Sequence, residues 1–292
     1  MGAVGANLRV VMLFLVLGAI FVVVGWAIGA FFLGDWVTGA LFFLIIAAVM
    51  NAISYFFSAK IVLWSYKTKV VTEAESPRLY RTVRQIASTA GLPMPQVAIV
   101  PTQTPNAFAT GRNPNHATVA ATEGILKLLN DDELTGVLAH EMAHVKDRDI
   151  LVMSVAATLA GAISFASRSF FWASLFGGGN RDNGNFLIAI VVAITAPIAA
   201  LLLQLAVSRS REYKADYEGA AMIGRPMSLA SALRKLDAGN KARPMNMGNP
   251  ASSSLWIVNP FSGRGLVTLF STHPPVEERI RRLEEQASGI RR

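Results

Sequence analysis

The chain has 292 residues, with 27 Lys and Arg against 19 Asp and Glu, a formal charge of +8, four His and no Cys. Charged residues make up 16% of it and hydrophobic ones 52%, where a soluble domain carries about 25% charged residues. This balance argues against a disordered chain or a single water-soluble globule and for an integral membrane protein. Without Cys there is no disulfide scaffold, thiol nucleophile, iron–sulfur cluster or Cys-ligated zinc, so any metal rests on His, Glu or Asp.

Four charge-free apolar stretches, at about 10–33, 36–57, 150–167 and 185–207, match the roughly 20 residues that cross a ~30 Å hydrocarbon core. The first two, joined at Gly34-Asp35, read as an uncleaved hairpin, because the first run is too long for a signal peptide. The last two read as a second hairpin, with Pro197 kinking the fourth span. Between and after them, 58–149 holds 10 basic and 9 acidic residues and 208–292 holds 14 and 8. The chain thus divides into two transmembrane hairpins, 1–57 and 150–207, and two polar parts, 58–149 and 208–292. Lys and Arg at the span ends, among them Arg9, Lys60, Lys67, Lys146, Arg148, Arg209 and Arg211, put both polar parts and both termini on the cytoplasmic side. The spans themselves carry only Asn51, Ser54, Gln204 and scattered hydroxyls, which suits anchors better than an ion pathway.

In the first polar part, Ser76-Pro77 opens an amphipathic helix that ends at Gly91. A short strand at 96–100 follows. Segments 106–110 and 117–121 then flank a turn-rich GRNPNH, which predicts an antiparallel hairpin with His116 exposed at its tip. Asn130 and Glu133 form a capping-box pattern. No Pro or Gly occurs from Val137 to Ala160, which predicts one helix running unbroken into the third span. The fourth span is expected to continue in the same way through SRSREYKAD to Gly224. A helix at about 227–238, a mobile linker at 241–254 and a Pro-started, salt-bridged helix in HPPVEERIRRLEEQ complete the chain. Met245 and Met247 are placed in the linker to pack over a cleft.

His140-Glu141-Met142-Ala143-His144 carries the chemistry. Positions i and i+4 share a helix face, so both imidazoles can reach one ion while Glu141 faces its water. Catalytic zinc takes three protein ligands. Val145-Lys-Asp-Arg-Asp-Ile lacks a third His, so the best candidate is Glu212, with Asp216 one turn on to accept the second N–H of a ligand His. Taken alone, Glu212 is more often an i,i+4 ion-pair partner for a Lys or Arg, and the whole pattern reverses that preference. Continuing both helices at about 1.5 Å per residue puts the zinc roughly 8–9 Å beyond the apolar boundary, at the membrane surface.

PNAFATGRNP (105–114), LAHEMAHVKDRD (138–149), SRSREYKAD (208–216) and THPPVEERI (272–280), in that order around the spans, resemble the HtpX-type membrane zinc metalloproteases, relatives of the CAAX prenyl proteases. The resemblance implies one zinc at His140, His144 and Glu212 and Glu141 as general base. It further implies a prokaryotic inner-membrane endopeptidase of stress response and quality control, acting on misfolded or damaged membrane proteins. His273 resembles a position that stabilises the oxyanion, though a His before Pro also suits a helix start. Asn106, Ala107, Phe108 and Ala109 offer an edge strand for an extended peptide, or simply one arm of the hairpin.

The expected fold is therefore a mainly α-helical membrane protein with four spans. Its cytoplasmic zincin-like α+β domain carries a small antiparallel sheet over the active-site helix. Two rivals differ in chemistry: a peptidase for lipidated or prenylated tails, and a non-catalytic scaffold with a closed zinc site. Nucleic acid is not expected, because the basic residues of 208–292 are mixed with acids beside a bilayer.

Overall fold

The computed structural model describes residues 3–30, 34–176, 208–261 and 273–289. Helices α1 (Ala3–Ile28) and α2 (Trp36–Ser65) form the expected hairpin. The Asp35 carboxylate caps α2 by accepting the Val37 and Thr38 N–H groups. The pair touches backbone to backbone, since a Cβ on Gly39 would lie 2.3 Å from the Gly25 carbonyl oxygen. Both helices are long and apolar enough to span a membrane, over Val4–Trp26 and Trp36–Ser65. Leu8, Met12, Leu15, Phe42, Ile45 and Phe56 stand exposed on their outer faces. Trp26 and Trp36 flank the turn, and Trp64 marks the far end, as aromatic side chains do at bilayer interfaces.

The polar part that follows comprises β1 (Lys69–Val70), α3 (Pro77–Ala90), β2 (Gln96–Val100), β3 (Ala107–Gly111), β4 (Ala117–Thr122) and α4 (Glu123–Leu128). As expected, Pro77 starts α3 and a left-handed Gly91 ends it, and β3 pairs antiparallel with β4, Ala107 opposite Ala121. The sheet as a whole is mixed rather than antiparallel, with order β1-β2-β4-β3. After β2 the chain crosses over to the edge before turning back, so β4 inserts beside β2 and runs parallel to it. Small residues (ATVAAT) let β4 be buried along its whole length.

Helix α5 (Asp131–Asp147) opens on the predicted capping box of Asn130 and Glu133. It does not run on into the third span. Arg148 takes a left-handed conformation (φ 61°) and caps α5, its N–H reaching the His144 and Val145 carbonyls. Helix α6 (Asp149–Phe176) then departs at 92°. No Pro or Gly marks this break. An L-residue in that conformation costs about 1–2 kcal/mol, which the packing on either side offsets. The axial extrapolation to the bilayer from α5 therefore fails, because α5 lies across the direction of α6.

The fourth predicted span, 185–207, lies outside the described residues. Ser208 is extended and stands at the N-cap of α7 (Arg209–Ile223), so the helix that carries Glu212 begins at Arg209. Helix α8 (Pro226–Ala242) is a turn longer than expected, and α9 (Val276–Ala287) carries the expected Arg281–Glu278 and Arg282–Glu278 ion pairs. The predicted mobile linker is partly built into the molecule. Met245 and residues 252–258 are buried, and a 3-10 turn spans Pro250–Leu255. Trp256 packs edge-on against Tyr66 and Phe108, and its indole N–H donates to the Tyr66 hydroxyl.

The sheet separates two cores. Alternate residues point to opposite faces of a strand. Ala98, Val100, Phe108 and Ala120 join α1, α2 and α6 on one side. Val97, Ala107, Ala109, Val119 and Ala121 join α3, α5, α8 and α9 on the other. The junction of the two cores, where α5 turns into α6, holds the polar cluster described next.

Candidate active site

Helix α5 presents His140, Glu141 and His144, and α7 presents Glu212 and Asp216. The two helices approach closely because Gly219 of α7 has no side chain: a Cβ there would lie 2.7 Å from the His140 amide nitrogen. His140, Glu141, His144 and Glu212 are each no more than 2% exposed. His140 Nε2 lies 3.7 Å from Glu212 Oε2, and His144 Nε2 lies 3.5 Å from Glu212 Oε1. One donor atom from each of these three residues falls within 4.8 Å of the others. A tetrahedron with zinc bonds of about 2.0–2.1 Å separates its ligand atoms by about 3.3 Å, so the trio fits a single zinc ion. Glu212 Oε2 is also a buried oxygen with no hydrogen-bond donor, which a cation would satisfy.

Both imidazoles are oriented from behind by carboxylates, leaving their Nε2 atoms toward the common point. His140 Nδ1 lies 2.9 Å from Asp216 Oδ1, as the sequence predicts. Asp216 is itself gripped by Arg279 of α9, whose Nε and Nη2 donate to its two oxygens at 2.8 Å each. Arg279 Nη1 donates to the Ile257 carbonyl. His144 Nδ1 lies 3.5 Å from Asp149 Oδ2. Sequence reasoning missed both Asp149 and Arg279. Asp149 is five residues past His144, off its face in an unbroken helix, and only the Arg148 break returns it. Arg279 sat unnoticed among the alternating charges of THPPVEERI.

The electrostatics follow from this crowding. Burial, with the Glu212 charge, raises Glu141 to about 7 against the lowering by His144 and the Ala109 N–H. Burial lowers His140, with the Asp216 carboxylate opposing it. For His144 burial works the same way, but the Asp149 hydrogen bond and the Glu212 and Glu141 charges outweigh it and raise the imidazole to about 9. Burial would raise Asp216, yet Arg279 and His140 hold it at about 2. Burial opposes the charge of Glu212 too, and His273, His144 and His140 keep it well below the carboxylate range.

His273 is brought to the cluster. Its Nδ1 lies 3.4 Å from Glu212 Oε2, and its Nε2 lies 3.3 Å from the Ser253 carbonyl. Strand β3 is indeed the sheet edge beside α5, with the Ala109 N–H directed to Glu141. Its outer side is covered by the chain itself. The Ile257 N–H donates to the Ala107 carbonyl, and the Asn106 amide donates to the Val258 carbonyl at 2.6 Å. Phe108 faces the other core, against Trp256. His116 is exposed on the β3–β4 turn, away from the cluster, as predicted.

Two imidazoles and a carboxylate around one point, with a second carboxylate beside them on the HExxH helix, define a metal-dependent peptidase. The sequence profile of Peptidase family M48 matches residues 73–287. A protease HtpX homolog of Syntrophobacter fumaroxidans is 50% identical over 96% of this chain and 99% of its own length. One of Thermococcus kodakarensis is 53% identical over 82% of this chain and 84% of its own. The crystal structure of S. mikatae Ste24p aligns with a TM-score of 0.47 at 21% identity, covering 96% of this chain and 65% of that one. The chain belongs to Peptidase family M48, among the HtpX proteases. It is a membrane zinc metalloprotease.

Proposed function

We propose that the chain is a multi-pass endopeptidase of a prokaryotic cytoplasmic membrane that cleaves misfolded or damaged membrane proteins and unfolded polypeptides. In this reading it has four spans, and both polar parts and both termini are cytoplasmic. One observation carries the peptidase assignment: the buried Glu141 carboxylate stands beside the His140, His144 and Glu212 trio. The Lys and Arg at the span ends support the orientation.

His140, His144 and Glu212 hold the zinc, which when bound lowers the pKa of water and polarises the scissile carbonyl. Glu141 takes the proton of the attacking water and delivers it to the leaving amine. Asp216 fixes the tautomer and direction of His140. His273, once released from Glu212, donates to the oxygen on which negative charge develops. Asn106 to Ala109 receive the substrate as an added strand on the outer edge of β3, displacing the contact that Ile257 makes there.

The test is cleavage of casein by the detergent-purified full chain, with bound metal quantified in parallel. Glu141→Ala is expected to hold stoichiometric zinc and to lose at least 10²-fold in activity, the lower end for a general base. Retained turnover in a variant that still holds zinc overturns the assignment. Stoichiometric zinc without cleavage in the parent would favour the non-catalytic scaffold.

A further inference from the structure

Arg9 is a charged residue nearly two turns into α1, a helix whose other residues from Val4 to Trp26 are uncharged. A charge in such a place is costly unless it is paired, and flanking positives ordinarily need no partner beyond the headgroups. Here the guanidinium faces the protein. It shares a side of α1 with Ala6, Val10, Leu13 and Leu17, all buried against α6 and its neighbours. Arg9 Nη1 lies 3.6 Å from Asp149 Oδ1. The same oxygen accepts from Arg211 Nη1 at 3.1 Å, while Asp149 Oδ2 faces His144 Nδ1. Asp149 and Arg211 are both buried. Three elements far apart in sequence thus meet on one carboxylate: α1 from the membrane hairpin, the start of α6, and the residue next to Glu212.

We infer that Arg9 is a positioning residue of the metal centre: with Arg211 it holds the Asp149 carboxylate that aims the His144 imidazole. This rests on the reading of His140, His144 and Glu212 as the zinc ligands. The arrangement matches the one behind His140, where Arg279 holds Asp216. Each imidazole is backed by a carboxylate, and each carboxylate by arginine. The difference lies in the source of the arginine, which for His144 includes a membrane-spanning helix. The N-terminal hairpin is therefore a component of the metal site as well as an anchor.

The experiment uses the full chain in detergent, with zinc itself as the probe in competition with a chromogenic chelator. Cobalt(II) replaces zinc in a second arm, to read the geometry by visible absorption. Outer-shell partners of metal ligands are worth about 10–100-fold in affinity, and Arg9 shares its carboxylate with Arg211. Arg9→Gln should therefore weaken zinc by about tenfold, alter the cobalt spectrum and lower kcat with KM unchanged. Arg9→Lys should restore most of the affinity, which also covers the case in which Arg9→Gln does not fold. In an Asp149→Asn background Arg9→Gln should cost nothing further. Parental zinc affinity and cobalt spectrum in folded Arg9→Gln, or an equal loss in the Asp149→Asn background, overturns the inference. Glu212→Gln separates this from the ligand reading: if that variant binds zinc as the parent does, the ligand assignment has failed instead.

Discussion

At the scale of single residues, His144 sets the conditions under which the site can load. Its imidazole is held at about 9 in the metal-free chain, against an ordinary 6.5, and only the neutral ring can bind zinc. Below 9 each zinc ion must displace that proton, so apparent affinity should rise about tenfold per pH unit between 6.5 and 9 and level off above. Calorimetry in buffers of different ionisation enthalpy should find close to one proton released per zinc from this group at pH 7.5. A flat affinity across that window would mean that His144 is already neutral. The linkage to metal-free stability runs the other way. A raised pKa stabilises the fold fully below the unfolded value of 6.5, and that contribution is lost as pH rises through about 9. Zinc binding therefore becomes most favourable where the empty site contributes least. Of this cluster, His140, Glu141 and His144 were legible in the HExxH spacing, and Glu212 and Asp216 in their i,i+4 spacing together with the surrounding motifs. Asp149 was not, since its approach to His144 depends on a backbone turn at an arginine.

At the scale of elements, the site depends on how closely α7 lies against α5. Gly219 sits over the His140 amide, where an added Cβ would meet the backbone at 2.7 Å. No flexible side chain can yield there, so the helices themselves must part. Gly219→Ala should destabilise the chain by about 1–3 kcal/mol, the usual cost of overpacking. It should also weaken zinc by tenfold or more, because Glu212 and Asp216 move away with α7. Thermal unfolding and chelator competition on the same preparation would check both, and unchanged zinc affinity would show that α7 can shift without carrying its carboxylates. The Asn130–Glu133 capping box, Pro77, Gly91 and Gly224 all mark helix termini where the structure has them, whereas the short α4 went unread. The break at Arg148 and the crossover that makes the sheet mixed were not legible. Both arise from contacts between distant segments, which local periodicity does not report.

At the scale of the whole molecule, the membrane helices and the catalytic half share one folding unit. One face of the sheet, with Ala98, Val100, Phe108 and Ala120, has α1, α2 and α6 as its cover. A chain shortened to 58–292 would lose α1 and most of α2, uncovering part of that face together with Tyr66 and Trp256. Such a fragment should aggregate or stay molten, and its zinc affinity should fall at least as far as that of Arg9→Gln. Size-exclusion profiles and near-UV circular dichroism would test this, and a monodisperse fragment with native zinc affinity would show that the hairpin is dispensable.

The split of the metal trio across α6 has a consequence for the life of the protein. His140 and His144 emerge from synthesis before α6, and Glu212 only after the chain has passed through it and the segment beyond. A ribosome-bound intermediate therefore carries the HExxH helix but not the third donor that would let it hold a catalytic ion. The nascent chain therefore lacks a complete set of metal donors until the segment that joins α6 to α7 has been made.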